Sequence, residues 1–387
     1  MTIIIGAGPA GLGAALALNR PALILERNSF AGKKLLLSGS GQCNVTNAAE
    51  PELFLQRLGD FRNFLKPAFY ALSNRALMDL LEAGGCPLWT REDGKVFPVS
   101  MHSSDVRNCL LNLVQAKGHT VEYGVKVTSI KRDNDGFSIQ SENGRSYLAR
   151  KLILAGGGAS YPETGSDANA YSLARALGHT IVEPHPALAP LRISDFGSFV
   201  ACAGITLKGI QLKLGKKGCH GDLLFTHQGF SGPVILDNSY RINKGDTVSL
   251  VFDGSGAFPS LLVRYPKKKL SSVLHMLDLP HSLCAAILKH LGVADRPAAD
   301  LRAHERKQLQ QWLPCAPFRV QSLASLAESM SDYGGVALKE VKASTLESQI
   351  VPGLYPVGET LAYSLPTGGF SIQMAFSTGF LAGKNSE

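Results

Sequence analysis

The first residues of the chain alternate between apolar runs and small residues. Residues 3–5 are three isoleucines, and such a run predicts a short buried strand. Residues 9–18 are small and apolar, as expected of a helix packed on a sheet, and residues 22–25 predict the next strand, which ends at Glu26. A strand, a helix and a strand in this order are typical of a parallel sheet with crossover helices.

The next part of the chain mixes helical and strand periodicity. Apolar residues at helical spacing predict helices over residues 67–84 and 106–116, with a hairpin turn at residues 92–95 between short strands. Alternating apolar and polar residues predict a three-stranded meander over residues 120–130, 136–141 and 146–155.

The pattern changes after about residue 190. Short strands are predicted over residues 204–214, 222–226 and 246–252. Two helices are predicted within residues 268–312, separated near residues 292–297. No nucleotide-binding motif falls in this part of the chain, which is therefore a candidate second domain.

Three glycines join the first predicted strand to its helix. Gly6, Gly8 and Gly11 have the spacing in which one glycine makes the turn, one admits a phosphate and one lets helix and strand approach closely. The helix N-terminus then directs free N–H groups and the positive end of its dipole at a pyrophosphate. Glu26 follows Gly6 by 20 residues, where a carboxylate meets an adenosine ribose and repels a 2′-phosphate. The motif predicts bound FAD or NAD and argues against NADP.

The segment after Glu26 favours FAD over NAD. Instead of entering a helix, residues 27–47 form a long loop rich in glycine, serine and asparagine. The backbone N–H groups of such a loop can wrap an extended ligand. Lys33 and Lys34 within this loop are candidates to reach phosphate.

The end of the chain carries a second candidate ligand-binding unit. A strand predicted over residues 353–359 delivers Glu359, and Gly368 and Gly369 precede a helix predicted over residues 371–382. If the ligand is FAD, Glu359 can accept hydrogen bonds from ribityl hydroxyls, and the helix dipole can stabilise negative charge near N1 and O2 of the flavin. A simpler interpretation of this helix is that Ser371 caps it.

Composition narrows the class of protein. A chain of 387 residues is expected to form two domains, and 45% hydrophobic with 18% charged residues is typical of a globular protein. No long apolar run predicts a membrane span, and no basic segment predicts a signal peptide, so we expect a cytoplasmic protein. The seven cysteines include no CxxC pair and the histidines no ligand spacing, so neither a disulfide framework nor a metal site is expected.

Longer segments resemble the bacterial YhiN/BaiN-type flavoproteins, also described as aminoacetone-oxidase-like or NAD(P)/FAD-dependent oxidoreductases. The resemblance covers essentially the whole chain. Besides the glycine motif and Glu26, the segments that carry it are LSGSGQCNVTN, AGGGASYPETGS, DLLFTHQGFSGPVIL, GGVALKE, GLYPVGE and TGGFSIQMAFSTG.

The resemblance implies an α/β fold of the two-dinucleotide-binding-domains flavoprotein type. A Rossmann-like FAD-binding domain would comprise residues 1–190 and 335–387, with residues 191–334 as an inserted domain. The insert would combine a β-barrel over about 191–255 and 315–334 with a helical part over about 258–312.

Cofactor contacts follow from the motifs and from the resemblance together. The family pattern places six residues on the FAD loop, namely Lys34, Ser38, Gly41, Cys43, Asn44 and Asn47. It places residues 359 and 368–373 at the flavin end. The candidate set is Gly6, Gly8, Pro9, Ala10, Gly11, Glu26, Arg27, Lys33, Lys34, Ser38, Gly41, Cys43, Asn44, Asn47, Val127, Ala155, Gly156, Gly157, Gly358, Glu359, Gly368, Gly369, Phe370, Ser371 and Ile372. Gln42, Ala362 and Ser371 stand where family members usually carry Arg, an acid and Asn, which weakens any transfer of substrate from the family.

The expected activity is FAD-dependent oxidation or reduction of an unknown small molecule, by hydride transfer at flavin N5. NAD(P)H would dock transiently as the reductant, unless the substrate itself reduces the flavin. His227, in a turn-like segment, and Tyr161 are candidate proton donors, although both also suit structural roles. Cys43 has no partner cysteine nearby, so a packed thiol is favoured over a redox-active one.

Several alternatives remain open at this point. Reduction of a conjugated C=C bond and oxidation of an amine by O₂ are both compatible with a flavin. The net charge of +8 and the basic run at residues 264–269 suggest a tRNA-modifying or RNA-binding flavoprotein, and a non-catalytic FAD sensor is a third reading. A small-molecule partner is favoured over nucleic acid, no membrane partner is expected, and the oligomeric state is left open.

Overall fold

The computed structural model describes residues 1–387 and contains two compact units. The first unit comprises residues 1–187 and 326–387, and the second comprises residues 188–325. No helix in either unit has the length and apolar character needed to cross a membrane.

The chain forms nineteen strands and twelve α-helices. The strands are β1 (Thr2–Ile5), β2 (Leu23–Glu26), β3 (Thr46–Asn47), β4 (Leu88–Thr90), β5 (Lys95–Pro98), β6 (Thr120–Tyr123), β7 (Val127–Arg132), β8 (Phe137–Ser141), β9 (Ser146–Ala149), β10 (Lys151–Leu154), β11 (Ile181–Ala187), β12 (Leu191–Ile193), β13 (Thr206–Leu214), β14 (Lys217–Phe225), β15 (Gly229–Ser231), β16 (Thr247–Val251), β17 (Ala316–Leu323), β18 (Ser331–Val336) and β19 (Leu354–Pro356). The helices are α1 (Pro9–Ala17), α2 (Pro51–Arg57), α3 (Arg62–Ala71), α4 (Asn74–Ala83), α5 (Ser103–Ala116), α6 (Asn169–Ala176), α7 (Pro233–Leu236), α8 (Phe258–Arg264), α9 (Leu270–His275), α10 (His281–Leu291), α11 (Ala303–Trp312) and α12 (Phe370–Asn385).

A five-stranded parallel sheet forms the centre of the first unit, in the order β19-β10-β1-β2-β6. Ile4 in the middle of β1 pairs with Ile153 of β10 on one side and Ile24 of β2 on the other. All three side chains are fully buried, as expected of strands covered on both faces. The Rossmann-type α/β fold predicted from the sequence is confirmed.

The predicted meander is only partly right. Strands β7, β8 and β9 do form an antiparallel sheet. However, residues 120–123 and 151–154 join the parallel sheet as β6 and β10. Gly124, with a φ of +70°, turns the chain out of β6, and Val125 N–H then donates to the Glu26 carbonyl at 2.9 Å. Alternation along a strand shows which faces are buried but not which sheet the strand joins.

The single helix predicted over residues 67–84 is two helices, α3 and α4. Leu72 between them has extended backbone, and the Ser73 hydroxyl accepts a hydrogen bond from Ala76 N–H at 3.2 Å, which caps α4. The break frees the Leu72 carbonyl, which accepts hydrogen bonds from Gln373 Nε2 at 3.0 Å and Ser377 Oγ at 2.7 Å. The interruption therefore docks α12 onto α3.

The second unit contains the predicted barrel, which is closed in the order β12-β15-β14-β13-β16-β17. Aromatic rings fill its core, with the Phe230 and Phe318 centroids 4.9 Å apart in an edge-to-face arrangement. The predicted pair of helices is wrong in number, because residues 268–312 form α9, α10 and α11. Pro280 immediately precedes α10, and Gly292, with a φ of +66°, immediately follows it.

Helices α1 and α12 cross at very short range. A Cβ atom on Gly379 would lie 1.9 Å from the Ala10 carbonyl oxygen, and one on Gly383 would lie 2.3 Å from the Ala14 carbonyl oxygen. On the facing helix, a Cβ on Gly13 would lie 2.6 Å from the Phe376 carbonyl oxygen. Only glycine permits this backbone contact from both sides.

We expect Gly379→Ala to lower the free energy of unfolding of the first unit by about 1–3 kcal/mol, because the added methyl must push the two backbones apart. Hydrogen exchange measured by mass spectrometry should show faster exchange in peptides from α1 and α12. Gly197→Ala is the control, since a Cβ there meets no atom within 4 Å. Equal exchange in the two variants would contradict this account of the crossing.

Candidate cofactor site at the carboxyl edge of the parallel sheet

Loops from four parallel strands meet at one edge of the sheet. They follow β1, β2, β10 and β19, whose carboxyl ends point in the same direction. In open α/β sheets, ligands bind in the crevice outside this edge. We call this region the carboxyl edge.

The first glycine turn has the geometry that its sequence predicts. Gly6 has a φ of +101°, and its N–H donates to the Leu25 carbonyl at 2.8 Å. A Cβ on Gly6 would lie 2.4 Å from the Ala155 carbonyl oxygen, and one on Gly11 would lie 1.9 Å from the Gly6 carbonyl oxygen. These two glycines therefore hold α1, β1 and the loop after β10 in contact.

The start of α1 offers unpaired donors. The N–H groups of Gly8, Ala10 and Gly11 make no hydrogen bond within the protein, and no side chain caps this helix. A Cβ on Gly8 would meet no atom within 4 Å, so open space lies in front of these donors. Buried backbone donors without partners are rare, and this cradle fits the pyrophosphate of a dinucleotide. Pro9 supplies the first helical position without an N–H of its own.

Glu26 lies beside this cradle and is 5% exposed. Its Oε2 accepts the Ala7 N–H at 2.8 Å, and its Oε1 accepts the backbone and side-chain N–H groups of Asn28 at 2.8 and 2.7 Å. An ionised carboxylate has about four lone-pair sites. Three of these are used, so one site on Oε2 can accept a ribose hydroxyl, as the sequence predicts.

The loop predicted over residues 27–47 runs from β2 to β3. Within it, residues 39–41 and 43 have positive φ, and Gly41 faces open space. Ser38 Oγ donates to the Leu35 carbonyl at 2.7 Å, and the Asn47 side chain donates to the Gly368 carbonyl at 3.2 Å. With its amide turned so that the oxygen faces Gly369, the Asn44 side chain accepts the Gly369 N–H at 3.0 Å. The loop is thus bound to the glycines that precede α12.

Cys43 lies on this loop with its side chain fully buried. Burial raises the pKa of its thiol to about 12. A thiol that stays protonated is a poor nucleophile and redox group. The packed role favoured by the sequence therefore has a physical basis, and any contact of Cys43 with a cofactor would be made by its backbone.

The N-terminus of α12 forms a second group of free donors. Gly369, with a φ of +96°, precedes the helix, and the N–H groups of Phe370, Ser371 and Ile372 have no partner within the protein. The helix begins at Phe370, and the Ser371 side chain does not cap it. The capping interpretation is therefore wrong, because Ser371 lies inside the first turn and not before it. The positive end of this 16-residue helix faces the carboxyl edge.

Glu359 lies at the centre of a polar cluster that the motifs do not reveal in full. Lys34 Nζ donates to Glu359 Oε2 at 2.7 Å and to Ser160 Oγ at 2.6 Å, and Ser331 Oγ donates to Glu359 Oε1 at 3.0 Å. Lys34 thus links the loops after β2, β10 and β19. Gly358 beside it has a φ of +62°, and a Cβ there would lie 2.7 Å from the Ala10 Cβ.

Sequence analysis missed a buried pair behind this cluster. The Tyr171 hydroxyl lies 2.6 Å from Asp332 Oδ2 and 3.0 Å from the Glu359 carbonyl oxygen, and Asp332 Oδ1 accepts the Ala159 N–H at 2.9 Å. The only signal in the sequence is that Ala159 follows the glycines 156–158. Neither Tyr171 nor Asp332 belongs to a recognisable motif.

Other predicted residues have contacts within the protein. Arg27 pairs with Asp167, Lys33 Nζ donates to the Glu163 carbonyl at 2.7 Å, and the Val127 carbonyl accepts from Asn169 Nδ2 at 2.9 Å. In the second glycine loop, Gly157 has a φ of +79°, and a Cβ on Gly156 would lie 2.9 Å from the Ala170 Cβ.

The two predicted proton donors lie in different units. Tyr161 precedes a short turn of the first unit, with a φ of +52°, and is half-buried. His227 is exposed in the turn between β14 and β15 of the second unit, where the Thr226 hydroxyl accepts the Gly229 N–H at 3.1 Å. Their proposed catalytic roles stay predictions.

We expect Gly8→Val to abolish FAD binding without unfolding the protein, because a Cβ at this position meets no protein atom within 4 Å and the side chain would fill the space in front of the free N–H groups. The FAD content of the purified variant and its Tm after removal of FAD test this. Gly197→Val is the control, because Gly197 also has open space around it but lies in the second unit. This variant should keep its full FAD content. A folded Gly8→Val protein with full FAD content would overturn the assignment of the phosphate cradle.

Known proteins resemble this chain along its whole length. The 3-dehydro-bile acid delta(4,6)-reductase of Clostridium scindens is 28% identical over 415 residues, which cover 98% of this chain and 97% of the reductase. The ribosomal RNA dihydrouridine synthase of Escherichia coli is 27% identical over 388 residues, covering 97% of this chain and 95% of the synthase. A solved quinol–fumarate reductase with menaquinol matches 100% of this chain and 71% of its own, with a TM-score of 0.52 and 16% identity, which shows a shared fold.

The family model described as HI0933-like protein Rossmann domain matches residues 1–385. This match confirms the resemblance to the YhiN/BaiN-type proteins that the sequence segments indicated. The cradle at α1, the open site on Glu26 and the free donors of α12 are the features that the cofactor of such proteins needs. The chain therefore belongs to the HI0933-like Rossmann family and is an FAD-dependent oxidoreductase.

Proposed function

We propose that this protein reduces a carbon–carbon double bond that is conjugated with a carbonyl group. Two relatives support the proposal, because the names of both describe such a reduction on unrelated molecules. One acts on a 3-dehydro bile acid with double bonds at positions 4 and 6, and the other forms dihydrouridine in ribosomal RNA. Relatives that share a cofactor site but differ in the residues that recognise the substrate would carry out the same reaction on different molecules.

The observation that carries the proposal is the set of donors at the carboxyl edge. The free N–H groups of α1 fit a pyrophosphate, and those of α12, with the dipole of a long helix, fit a group that becomes negative during reaction. Bound FAD supplies hydride transfer at flavin N5. The N–H groups of α12 are already oriented, so they need no reorganisation when negative charge develops on the flavin. This favours reduction of the cofactor by an external hydride donor.

The reaction adds one hydride to the carbon distant from the carbonyl and one proton to the carbon next to it. The proton requires a donor in the protein or from solvent. His227 and Tyr161 are the proposed donors, since imidazole and phenol groups serve as general acids in enzymes. NADH or NADPH is the proposed hydride source, docking transiently because no second dinucleotide motif follows the first.

The test is an anaerobic spectrum of the purified yellow protein, to which NADH, NADPH and then a 3-oxo-4-ene steroid are added in turn. We expect at least one nicotinamide to bleach the flavin bands, and the enone to restore them with formation of the saturated ketone. The saturated analogue of the steroid is the control and should leave the flavin reduced. Bleaching by a primary amine alone, with hydrogen peroxide formed in air, would instead establish an amine oxidase.

A second candidate function, reduction of a base in RNA, is favoured by the distribution of charge. Residues 188–325 contain 17 of the 39 Lys and Arg residues but only 9 of the 31 Asp and Glu residues. The second unit therefore carries a formal net charge of +8, and the first unit carries none. A positive net charge on one unit is an electrostatic feature by which proteins attract phosphate backbones.

The densest part of this charge is exposed. Lys267, Lys268 and Lys269 precede α9 and form no ion pair with a carboxylate. Tyr265 lies beside them, with Lys268 Nζ 5.7 Å from its ring centroid. Basic residues next to an aromatic ring are common where proteins bind single-stranded nucleic acid.

We expect a triple variant with glutamine at residues 267–269 to bind RNA more weakly and with a smaller dependence on salt. Loss of three phosphate contacts should reduce the slope of log K against log salt by about 2, at about 0.7 per contact for a single strand. The control places glutamine at Lys66, Lys117 and Lys131, three exposed lysines of the first unit. An unchanged slope, or no RNA binding at low salt, would remove this candidate.

A further inference from the structure

We propose that Asp332 and Tyr171 are positioning residues that hold the loops after β10 and β19 together and thereby set the affinity for FAD. The inference concerns the cofactor site and not the substrate. Its test is therefore separate from the test of the proposed reduction, and one can fail without the other.

The geometry of the pair supports this role. Asp332, on β18, accepts the Ala159 N–H from the loop after β10, and Tyr171, on α6, reaches the Glu359 carbonyl in the loop after β19. The Tyr171 hydroxyl and Asp332 Oδ2, 2.6 Å apart, join these two contacts into one chain. Four elements distant in sequence are thus connected through two side chains.

The pair packs closely against two glycines, Gly158 and Gly335, at which a side chain would collide with it. A Cβ on Gly158 would lie 2.2 Å from Asp332 Oδ1, and a Cβ on Gly335 would lie 2.8 Å from the Tyr171 ring. Asp332 is 3% exposed, and so is Tyr171. A pair that is buried and tightly packed transmits a change in one loop to the other.

The charges around Asp332 are those of the cofactor site. Burial, followed by the negative charge of Glu359, raises the pKa of Asp332, whereas the Tyr171 hydroxyl, Ala159 N–H and Lys34 lower it. Burial, followed by Asp332, raises the pKa of Tyr171, with Glu359 and Tyr363 adding to the effect. Tyr171 therefore remains a neutral hydrogen-bond donor.

A single hydroxyl proton cannot serve both acceptors of Tyr171 at once. If Asp332 is ionised, Tyr171 donates to it and the Glu359 carbonyl lacks that donor. If Asp332 is protonated, it donates to the Tyr171 oxygen, and Tyr171 donates to the Glu359 carbonyl. Asparagine at position 332 reproduces the second arrangement, because its amide can donate to Tyr171 while its oxygen accepts the Ala159 N–H.

The experiment compares FAD dissociation constants of Tyr171→Phe, Asp332→Ala and Asp332→Asn by titrating each apoprotein with FAD. We expect Tyr171→Phe and Asp332→Ala to weaken FAD binding about tenfold or more, because each leaves a buried polar group without its partner. Asp332→Asn should bind within about threefold of the natural protein, since it keeps both contacts.

Tyr355→Phe is the matched control. Tyr355 is also a buried tyrosine of the first unit whose hydroxyl donates to a backbone carbonyl, that of Asn385, at 2.7 Å. Although Tyr355 is on β19, its hydroxyl contacts the C-terminal end of α12 and not the loops of the carboxyl edge, so loss of this hydroxyl should lower Tm without altering FAD affinity.

Two results would overturn the proposal. One is that Tyr171→Phe and Asp332→Ala bind FAD within about twofold of Tyr355→Phe, which would leave the pair a purely structural role. The other is that Asp332→Asn binds as poorly as Asp332→Ala. If Asp332→Ala fails to fold, the FAD affinities of Tyr171→Phe, Asp332→Asn and Tyr355→Phe still decide whether the pair sets the affinity for FAD.

Discussion

The close approach of α1 to its neighbours is the constraint on which the rest of the first unit depends. The backbone of α1 touches β1 through Gly6 and Gly11, and touches α12 through Gly13, Gly379 and Gly383. These contacts fix where the helix begins and how it points. Because its N-terminus must face the carboxyl edge with its donors unpaired, the same glycines that pack the fold also create the phosphate cradle. Stability and cofactor binding are therefore set by one group of residues.

The electrostatics of the carboxyl edge follow from this arrangement. Donors at two helix N-termini need an anionic or strongly polar ligand, yet the edge also holds Glu26, Glu359 and Asp332. Three N–H groups satisfy Glu26, and Lys34 with Ser331 satisfies Glu359. Because these partners stabilise the buried carboxylates, Glu26 and Glu359 can accept hydrogen bonds from sugar hydroxyls. The N–H groups that can bind phosphate lie beside them. The site can thus bind both the sugar hydroxyls and the pyrophosphate of a dinucleotide.

Much of this could be predicted from local sequence. The glycine spacing and Glu26 predict a phosphate cradle and a ribose acceptor, because each is determined by a few neighbouring residues. What could not be predicted depends on contacts between distant segments. Alternation could not show that residues 120–123 pair with β2, and periodicity could not show the break at Leu72, whose carbonyl is satisfied only by α12. Asp332 escaped notice for the same reason, since its partners lie more than 150 residues away.

The separation of charge between the units bears on the role of the positive residues. An anionic cofactor could by itself account for a basic protein, but the first unit, which holds the cofactor cradle, has no net charge. Its candidate phosphate ligands are backbone N–H groups, and Lys33 and Lys34 already donate to protein oxygens. The cofactor therefore does not require the net charge of +8, all of which lies in the second unit. The second proposed function, binding of RNA, would use this distribution of charge, since attraction of a phosphate backbone needs positive charge that the cofactor does not neutralise.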